Sequence, residues 1–394
     1  MASSRFPAFS GPLTTPLTSL LRIQHPIVLA GMARVSGGAL AAAVSNAGGL
    51  GVVGGLMLTP LQLRETITEL KTALHSSDLP FGVDLALPQV GGSARATNYD
   101  YTKGQLDALI DVIVEEGARL FVSAVGVPSA HVIERLHSAG ILVMNMVGHP
   151  KHAAKALAAG VDLVCAQGTE GGGHTGSLGG AVLIPAVVDV ALKVGAERKR
   201  ATAVNTTAKM TNGNAQLPLQ QPLVLAAGGI ADGRGLAAAL MHGAVGVWVG
   251  TRFVASVEAS CSIAQKEAVV ASGFDDTAIT LVLSGRPLRA KLNDYLRRWH
   301  QKPEEIQKLC SQGIVPFEHD LENFERSGQA GESLQLGEGS DGDEIDVPYP
   351  MGQVAGNISK VQPAWEIVAE MVAGAVAALR QGQEYLEPSS RSRL

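Results

Sequence analysis

A histidine standing in a run of glycines is the feature of this chain most suited to chemistry: Cys165-Ala166-Gln167-Gly168-Thr169-Glu170-Gly171-Gly172-Gly173-His174-Thr175-Gly176. Glycines let a backbone approach a ligand closely and adopt dihedrals closed to other residues. An imidazole titrates near neutral pH and can take or give a proton. The pair suggests a planar or anionic ligand on bare backbone with one base beside it; the alternative is a flexible linker with an incidental histidine. Gln167 opens the stretch with an amide that both donates and accepts, suited to the edge of a heterocycle. Two more glycine clusters follow. One is Ala226-Ala227-Gly228-Gly229-Ile230, with Asp232-Gly233-Arg234-Gly235 after it, and the other is Val249-Gly250-Thr251-Arg252-Phe253. Neither is a GxGxxG fingerprint, so a dinucleotide fold is not invoked.

Isolated residues add to the set. Asp84, in Gly82-Val83-Asp84-Leu85, reaches the same site or serves as a buried structural carboxylate. Met32, after Gly31, offers a soft apolar side chain to a flat ring or belongs to the core. His149 precedes Pro150 as a helix N-cap or a site residue. His25, His75, His137, His152, His242 and His300 fall on helices or the surface. Cys165 lies inside a strand as an apolar filler or, less naturally, a reactive thiol. No histidine–carboxylate set has metal-ligand spacing, and no serine nucleophile elbow occurs.

The elements that must position these residues alternate regularly. Short apolar strands are predicted at Ile27–Ala30, Leu50–Val53, Phe81–Leu87, Leu120–Val125, Ile141–Met146, Val161–Ala166, Leu223–Ala226 and Val245–Val249. Helices are predicted over Ala39–Ala47, from Pro60 to about Leu74, and over Gln105–Glu116, Pro128–Ser138, His149–Ala159, Pro185–Val194 and Gly233–His242. Strands apolar on both faces, joined through helices, are parallel and fully covered. Eight such units predict a (β/α)8 TIM barrel, with an open doubly wound sheet as the alternative. In a barrel the glycine clusters fall at strand C-termini, where active sites lie, and the loops after the seventh and eighth strands are common phosphate sites.

The barrel is expected to occupy residues 1–260, with a polar surface insert near 197–216. Residues 261–350 read as a charged, mostly helical lid or side region ending in the acidic, glycine-rich segment Gly328–Asp346. Residues 351–394 read as a return segment whose helix, Pro363–Leu379, packs on the barrel, followed by an exposed tail. The 394 residues are 46% apolar and 17% charged, the mark of a packed globular chain. A net charge of −5 gives no basic footprint for nucleic acid. Three cysteines, without metal spacing and odd in number, fit a reducing compartment. No apolar run is long enough to span a membrane, and the first residues lack a signal-peptide core. Ser392-Arg393-Leu394 is a conservative variant of the Ser-Lys-Leu peroxisomal address; without it, a cytoplasmic location is expected.

The assembled motifs resemble the nitronate monooxygenase family, formerly the 2-nitropropane dioxygenases. They are Pro26-Ile27 with Gly31-Met32, Val44-Ser45-Asn46-Ala47-Gly48-Gly49-Leu50-Gly51, Ala166 to His174, Ala226 to Gly233, Gly250-Thr251-Arg252-Phe253 and Met351-Gly352-Gln353-Val354-Ala355-Gly356. The resemblance implies an FMN-dependent barrel. Gly31 and Met32 would line the flavin ring with Asp84 nearby, Gln167 would hold its polar edge, and Gly172, Gly228, Gly229, Val249, Gly250 and Thr251 would bind ribityl and phosphate. His174 matches the family's catalytic base. It also implies a small anionic nitronate or a nitroalkane as substrate, oxidised with O2 through a flavin semiquinone to a carbonyl compound and nitrite. Asp84 stands where bacterial relatives often carry asparagine, and with the Pro88–Tyr101 excursion this looks like a fungal-type subgroup. An FMN-dependent enoyl-thioester reductase is similar in the same loops. A tailoring oxidase of secondary metabolism would share the scaffold, and a non-enzymatic phosphate-ligand sensor is the reading outside enzymology. Oligomeric state is not legible.

Overall fold

The computed structural model describes residues 11–92, 94–204, 217–326 and 347–386. Eleven strands are described in chain order: β1 (Ile27–Leu29), β2 (Gly51–Gly54), β3 (Phe81–Ala86), β4 (Leu120–Ala124), β5 (Leu142–Val147), β6 (Leu163–Gln167), β7 (Gly173–His174), β8 (Leu223–Ala227), β9 (Gly246–Val249), β10 (Thr277–Thr280) and β11 (Leu288–Lys291). Eight form one parallel sheet in the order β1-β9-β8-β6-β5-β4-β3-β2. A parallel bridge between Val28 and Leu50 joins its two ends, and the Leu29 N–H donates to the Leu50 carbonyl at 2.9 Å. The architecture is the expected (β/α)8 barrel.

Side-chain alternation explains the closure. Val28, Val52, Val122, Met144, Cys165, Leu225 and Trp248 point inward and pack on one another. Ile27, Val53, Phe121, Val143, Val164 and Val247 point outward into the helical layer. Both faces are therefore buried, as a covered parallel strand requires. The short helix Pro16–Leu21, started by a Thr15–Thr18 capping box, puts Leu17 and Leu21 into the inward-facing cluster. Gly246 leaves the room for this, because a Cβ there would lie 2.4 Å from Leu17 Cδ2.

The helix after β7 runs over Gly180–Val204, longer than the predicted Pro185–Val194, and residues 197–204 are helical where a surface insert was expected. Pro185 lies inside it, in the second turn, where it withholds one i→i−4 hydrogen bond, and Arg198 anchors the far half. The Arg198 guanidinium donates to the carbonyls of Leu219 and Leu157 at 2.7 Å and of Val161 at 3.2 Å. The rest of the polar insert (205–216), the acidic segment (328–346) and Ser392-Arg393-Leu394 lie outside the described residues.

The region after the barrel holds helices Ile263–Val270, Asp294–His300, Pro303–Ser311 and Pro316–Arg326, but also the antiparallel pair β10–β11, where mainly helix was expected. A small core of Val282, Leu288, Tyr295, Leu296, Trp299 and Ile306 holds it together. Tyr295 Oη and Trp299 Nε1 both donate to Asp320 Oδ2, at 2.9 and 2.8 Å. β11 pairs in turn with β7, giving a second sheet in the order β10-β11-β7. The stretch read as a free glycine loop thus contains a strand. The helix Ala364–Glu384 packs across helix Gly233–Met241, with Gly374 against Gly233.

Candidate active site

A cavity of about 320 Å³ opens at the C-terminal ends of the barrel strands, within the roughly 300–1,000 Å³ range of small-molecule sites. It brings together Gly31, Met32, Asp84, Gln167, Gly172 and His174 with Gly228, Gly229, Gly250 and Thr251. Val249 does not join them. It is fully buried in the outward-facing core, and its carbonyl accepts the Ala30 N–H at 2.9 Å, so it fastens β1 to β9.

One wall is bare backbone. A Cβ on Gly172 would lie 2.6 Å from the Met351 carbonyl carbon and 2.7 Å from the Gly352 nitrogen. Gly228 has φ +86°, and its Cβ would meet the Gly168 carbonyl oxygen at 2.9 Å. Three chain segments therefore touch without side chains between them. The segment from Met351 is held there because Thr251 Oγ1 accepts the Gly352 N–H at 2.9 Å and the Glu170 carbonyl accepts the Gln353 N–H at 3.0 Å. The Glu170 carboxylate accepts the Gly180 N–H at 2.9 Å, tying the same loop to the following helix. Such a surface can receive a phosphate or polyol through N–H groups.

His174 lines the same cavity. Gln167 Nε2 donates to the His174 carbonyl at 2.7 Å, so this side chain positions the histidine rather than turning its amide wholly to a ligand. His174 pairs with Leu288 across β7–β11, and its Nε2 lies 2.9 Å from Ser284 Oγ in a hydrogen bond. Burial, and secondarily the Arg286 guanidinium, push the imidazole down from 6.5 to about 4. His174 is therefore neutral at physiological pH, able to accept a proton but a weakened base.

Sequence reasoning missed the residues that hold His174 from the far side. Ser284 and Arg286 sit on the β10–β11 connection, and Leu288, the first residue of β11, lines the cavity. Tyr101 also lines it, from the end of the 88–101 excursion. Arg286 Nε donates to Asn98 Oδ1 at 2.8 Å, linking excursion to hairpin. The signal was present in Ser284-Gly285-Arg286-Pro287, a turn sequence between two short apolar-containing runs.

Asp84, at the cavity end of β3, is 8% exposed, and burial raises its carboxyl from 3.8 to about 8. Cys165 lies in the barrel interior with its thiol pushed well up by burial and by Asp84, so it stays protonated and inert. His149 is the N-cap of helix Pro150–Ala158, its Nδ1 accepting the Lys151 N–H at 3.1 Å. His137 lies on helix Ala130–Ser138, with Nε2 2.8 Å from Asp162 Oδ2. Among the described residues no group of three His, Cys, Asp or Glu is placed to hold a metal ion, and no helix is long and apolar enough to cross a membrane.

A (β/α)8 barrel with a cavity at its strand ends, lined by bare glycine backbone and by His174, has the layout in which barrel enzymes place their sites. The nitronate monooxygenase family model matches residues 14–374. The chain belongs to that family of flavoprotein oxidoreductases. A protein of Mycobacterium tuberculosis described as a (3aS,4S,5R,7aS)-5-hydroxy-7a-methyl-1-oxo-octahydro-1H-indene-4-carboxyl-CoA dehydrogenase is 35% identical over 277 residues, 70% of this chain and 66% of that one. The match thus spans just under two thirds of the relative's length. FabK from Thermotoga maritima superposes with a TM-score of 0.72 at 30% identity, covering 95% of this chain and 100% of that one. Nitroalkane oxidase from Streptomyces ansochromogenes gives 0.69 at 26% identity, covering 93% and 99%.

Proposed function

We propose that the protein is an FMN-dependent nitronate monooxygenase that oxidises alkyl nitronates, propionate 3-nitronate or the anions of nitroalkanes, with O2 to a carbonyl compound and nitrite. The observation that carries this reading is a half-buried His174, its imidazole pushed down by desolvation, lining one cavity together with a cradle of glycines. The fit to FMN rests on that cradle: a Cβ at Gly172 or Gly228 would collide with backbone, so the bare surface is a built feature. Gly228, Gly229, Gly250 and Thr251 would hold the phosphate, Gly172 the ribityl chain, and Gly31 and Met32 the ring. Bound FMN would supply the electron transfer and the reaction with O2.

The protein's own residues do the rest. Leu288, Tyr101 and Met32 narrow the cavity and keep water from the substrate carbon. His174, oriented by Gln167 and Ser284, takes the α-proton of a neutral nitroalkane on a ring nitrogen. With a preformed nitronate it remains neutral and donates a hydrogen bond to the nitro oxygens. Arg286, beyond it, biases the cavity toward an anion. Residues 263–326 act in this proposal as a lid that completes the site through the β10–β11 pair.

The test is an absorbance spectrum of the purified protein followed by oxygen uptake and nitrite release with propionate 3-nitronate. A colourless protein that takes up no added FMN sinks the proposal. A second reading, reduction or oxidation of a coenzyme-A thioester, is favoured by the mycobacterial relative's name. Anaerobic bleaching of the flavin by NADH or NADPH, without nitronate turnover, selects it.

A further inference from the structure

Asp84 and Cys165 are the only titratable side chains in the eight barrel strands, and Asp84 is the one that lines the cavity. Its Oδ1 is buried and has no hydrogen-bond partner. Its Oδ2 is pressed against Gly31, where an added Cβ would lie 2.4 Å away. Other carboxylates of the chain are differently provided for: Asp162 accepts the N–H groups of Val143 and Leu219 and meets His137, and Glu170 accepts the Gly180 N–H. Asp84 has neither a cation nor a donor.

The barrel strands around it carry no charged group. β1, β2, β8 and β9 present no titratable group, β4 presents Ser123, and β5 presents Asn145, whose amide is spent on the Ser123 and Gly126 carbonyls. β6 presents the protonated Cys165 thiol. The rim adds neutral His174 and Tyr101. A charge at Asp84 would be unpaired in a water-poor barrel mouth, which is costly enough that a carboxyl keeps its proton instead. A protonated carboxyl is a donor as well as an acceptor, and here it belongs to a residue that lines the cavity and has one buried oxygen without a partner.

Given the flavin reading above, we propose that Asp84 enters the site as an uncharged carboxylic acid and donates a hydrogen bond to the bound flavin, so that flavin is released when the carboxyl ionises. Asp84 would thereby do the work of an amide while remaining sensitive to pH. Burial, which raises the carboxyl to about 8, places the transition just above neutrality.

The experiment is the dissociation constant of FMN, read by fluorescence quenching from pH 6 to 9, for the wild type, Asp84→Asn and Asp84→Leu. Wild-type affinity falls about tenfold between pH 7 and pH 9, since roughly one carboxyl in ten keeps its proton one unit above its midpoint. Asp84→Asn, a donor that cannot ionise, is flat and binds at pH 9 as the wild type does at pH 7. Asp84→Leu is weaker at every pH and also flat. Equal wild-type affinity at pH 7 and 9, or the same decline in Asp84→Asn, overturns the proposal while leaving the flavin reading intact. Failure of all three proteins to take up FMN at any pH overturns both.

Discussion

His174→Asn separates proton abstraction from nitronate binding. The structure sets the size of the effect. An imidazole held at about 4 instead of 6.5 resists ending a step protonated by about 3 kcal/mol more than an ordinary histidine. A neutral nitroalkane must pass through that step, whereas a preformed nitronate has no proton to give up. Removing the base should cost about 10² to 10⁴ in kcat/KM on nitroethane, the usual worth of a positioned general base, and less than about tenfold on ethyl nitronate. The assay is oxygen uptake with both substrates. Wild-type kcat/KM on nitroethane should be level from pH 8 to about 5 and fall only as His174 protonates near 4. Arg286→Gln removes the second cause of the depression and leaves burial, the first, in place. Its acid limb should move up by a fraction of the full shift. Equal losses on both substrates, or a wild-type limb near 6.5, would refute the base assignment.

Gly172→Val should be isolated without flavin, because its side chain must displace backbone at Met351 and Gly352; the absorbance ratio of the purified protein reads this directly. Asp162→Ala strips the partner from the buried Val143 N–H, the partly buried Leu219 N–H and His137. At about 1–3 kcal/mol for each unsatisfied group, unfolding in urea should shift by several kcal/mol with no change in substrate preference. Asp84→Asn should stabilise the flavin-free protein increasingly with pH. A carboxyl whose folded value lies above its unfolded 3.8 contributes stability that is fully present below 3.8 and lost as pH rises through about 8. The melting-temperature gap between variant and wild type should widen from pH 5 to pH 8 and then level; a constant gap counts against a buried neutral Asp84.

The barrel was legible because each strand is a short apolar run on both faces, a pattern that covered parallel sheets impose wherever they occur. The cradle was legible for a related reason: close backbone contact admits only glycine, so Gly172 and Gly228 announce themselves by residue type. The support of His174 was not. β7 is two residues long and β11 four, and strands this short have no period to detect. Their pairing joins residues 173–174 to 288–289, a long-range contact that no local pattern encodes. Val249 shows the converse limit. Its backbone was expected to meet the ligand beside Gly250, yet Val249 lies off the cavity lining and its carbonyl is taken by the Ala30 N–H. Helix 180–204 outran its expected length because Arg198 finds three carbonyls on neighbouring elements, which composition cannot show.

The two walls of the cavity have different origins, and this bears on why relatives with differently described activities share the fold. The glycine wall is made from the ends of β6, β8 and β9, with Met351 and Gly352 of the return segment closed against Gly172. The other wall comes from outside the βα repeat: Tyr101 from an excursion after β3, Ser284 and Leu288 from the β10–β11 pair, and Pro350 from the return segment. Changes there leave barrel closure untouched and alter only what lies over His174. On the proposed reading, the cofactor would be held by the glycine wall and the substrate selected by the hairpin and the excursion. Exchanging residues 281–292 between this chain and a thioester-acting relative should move substrate preference while flavin affinity stays within a few-fold. Loss of flavin in such a chimera would show that the two walls are not separable.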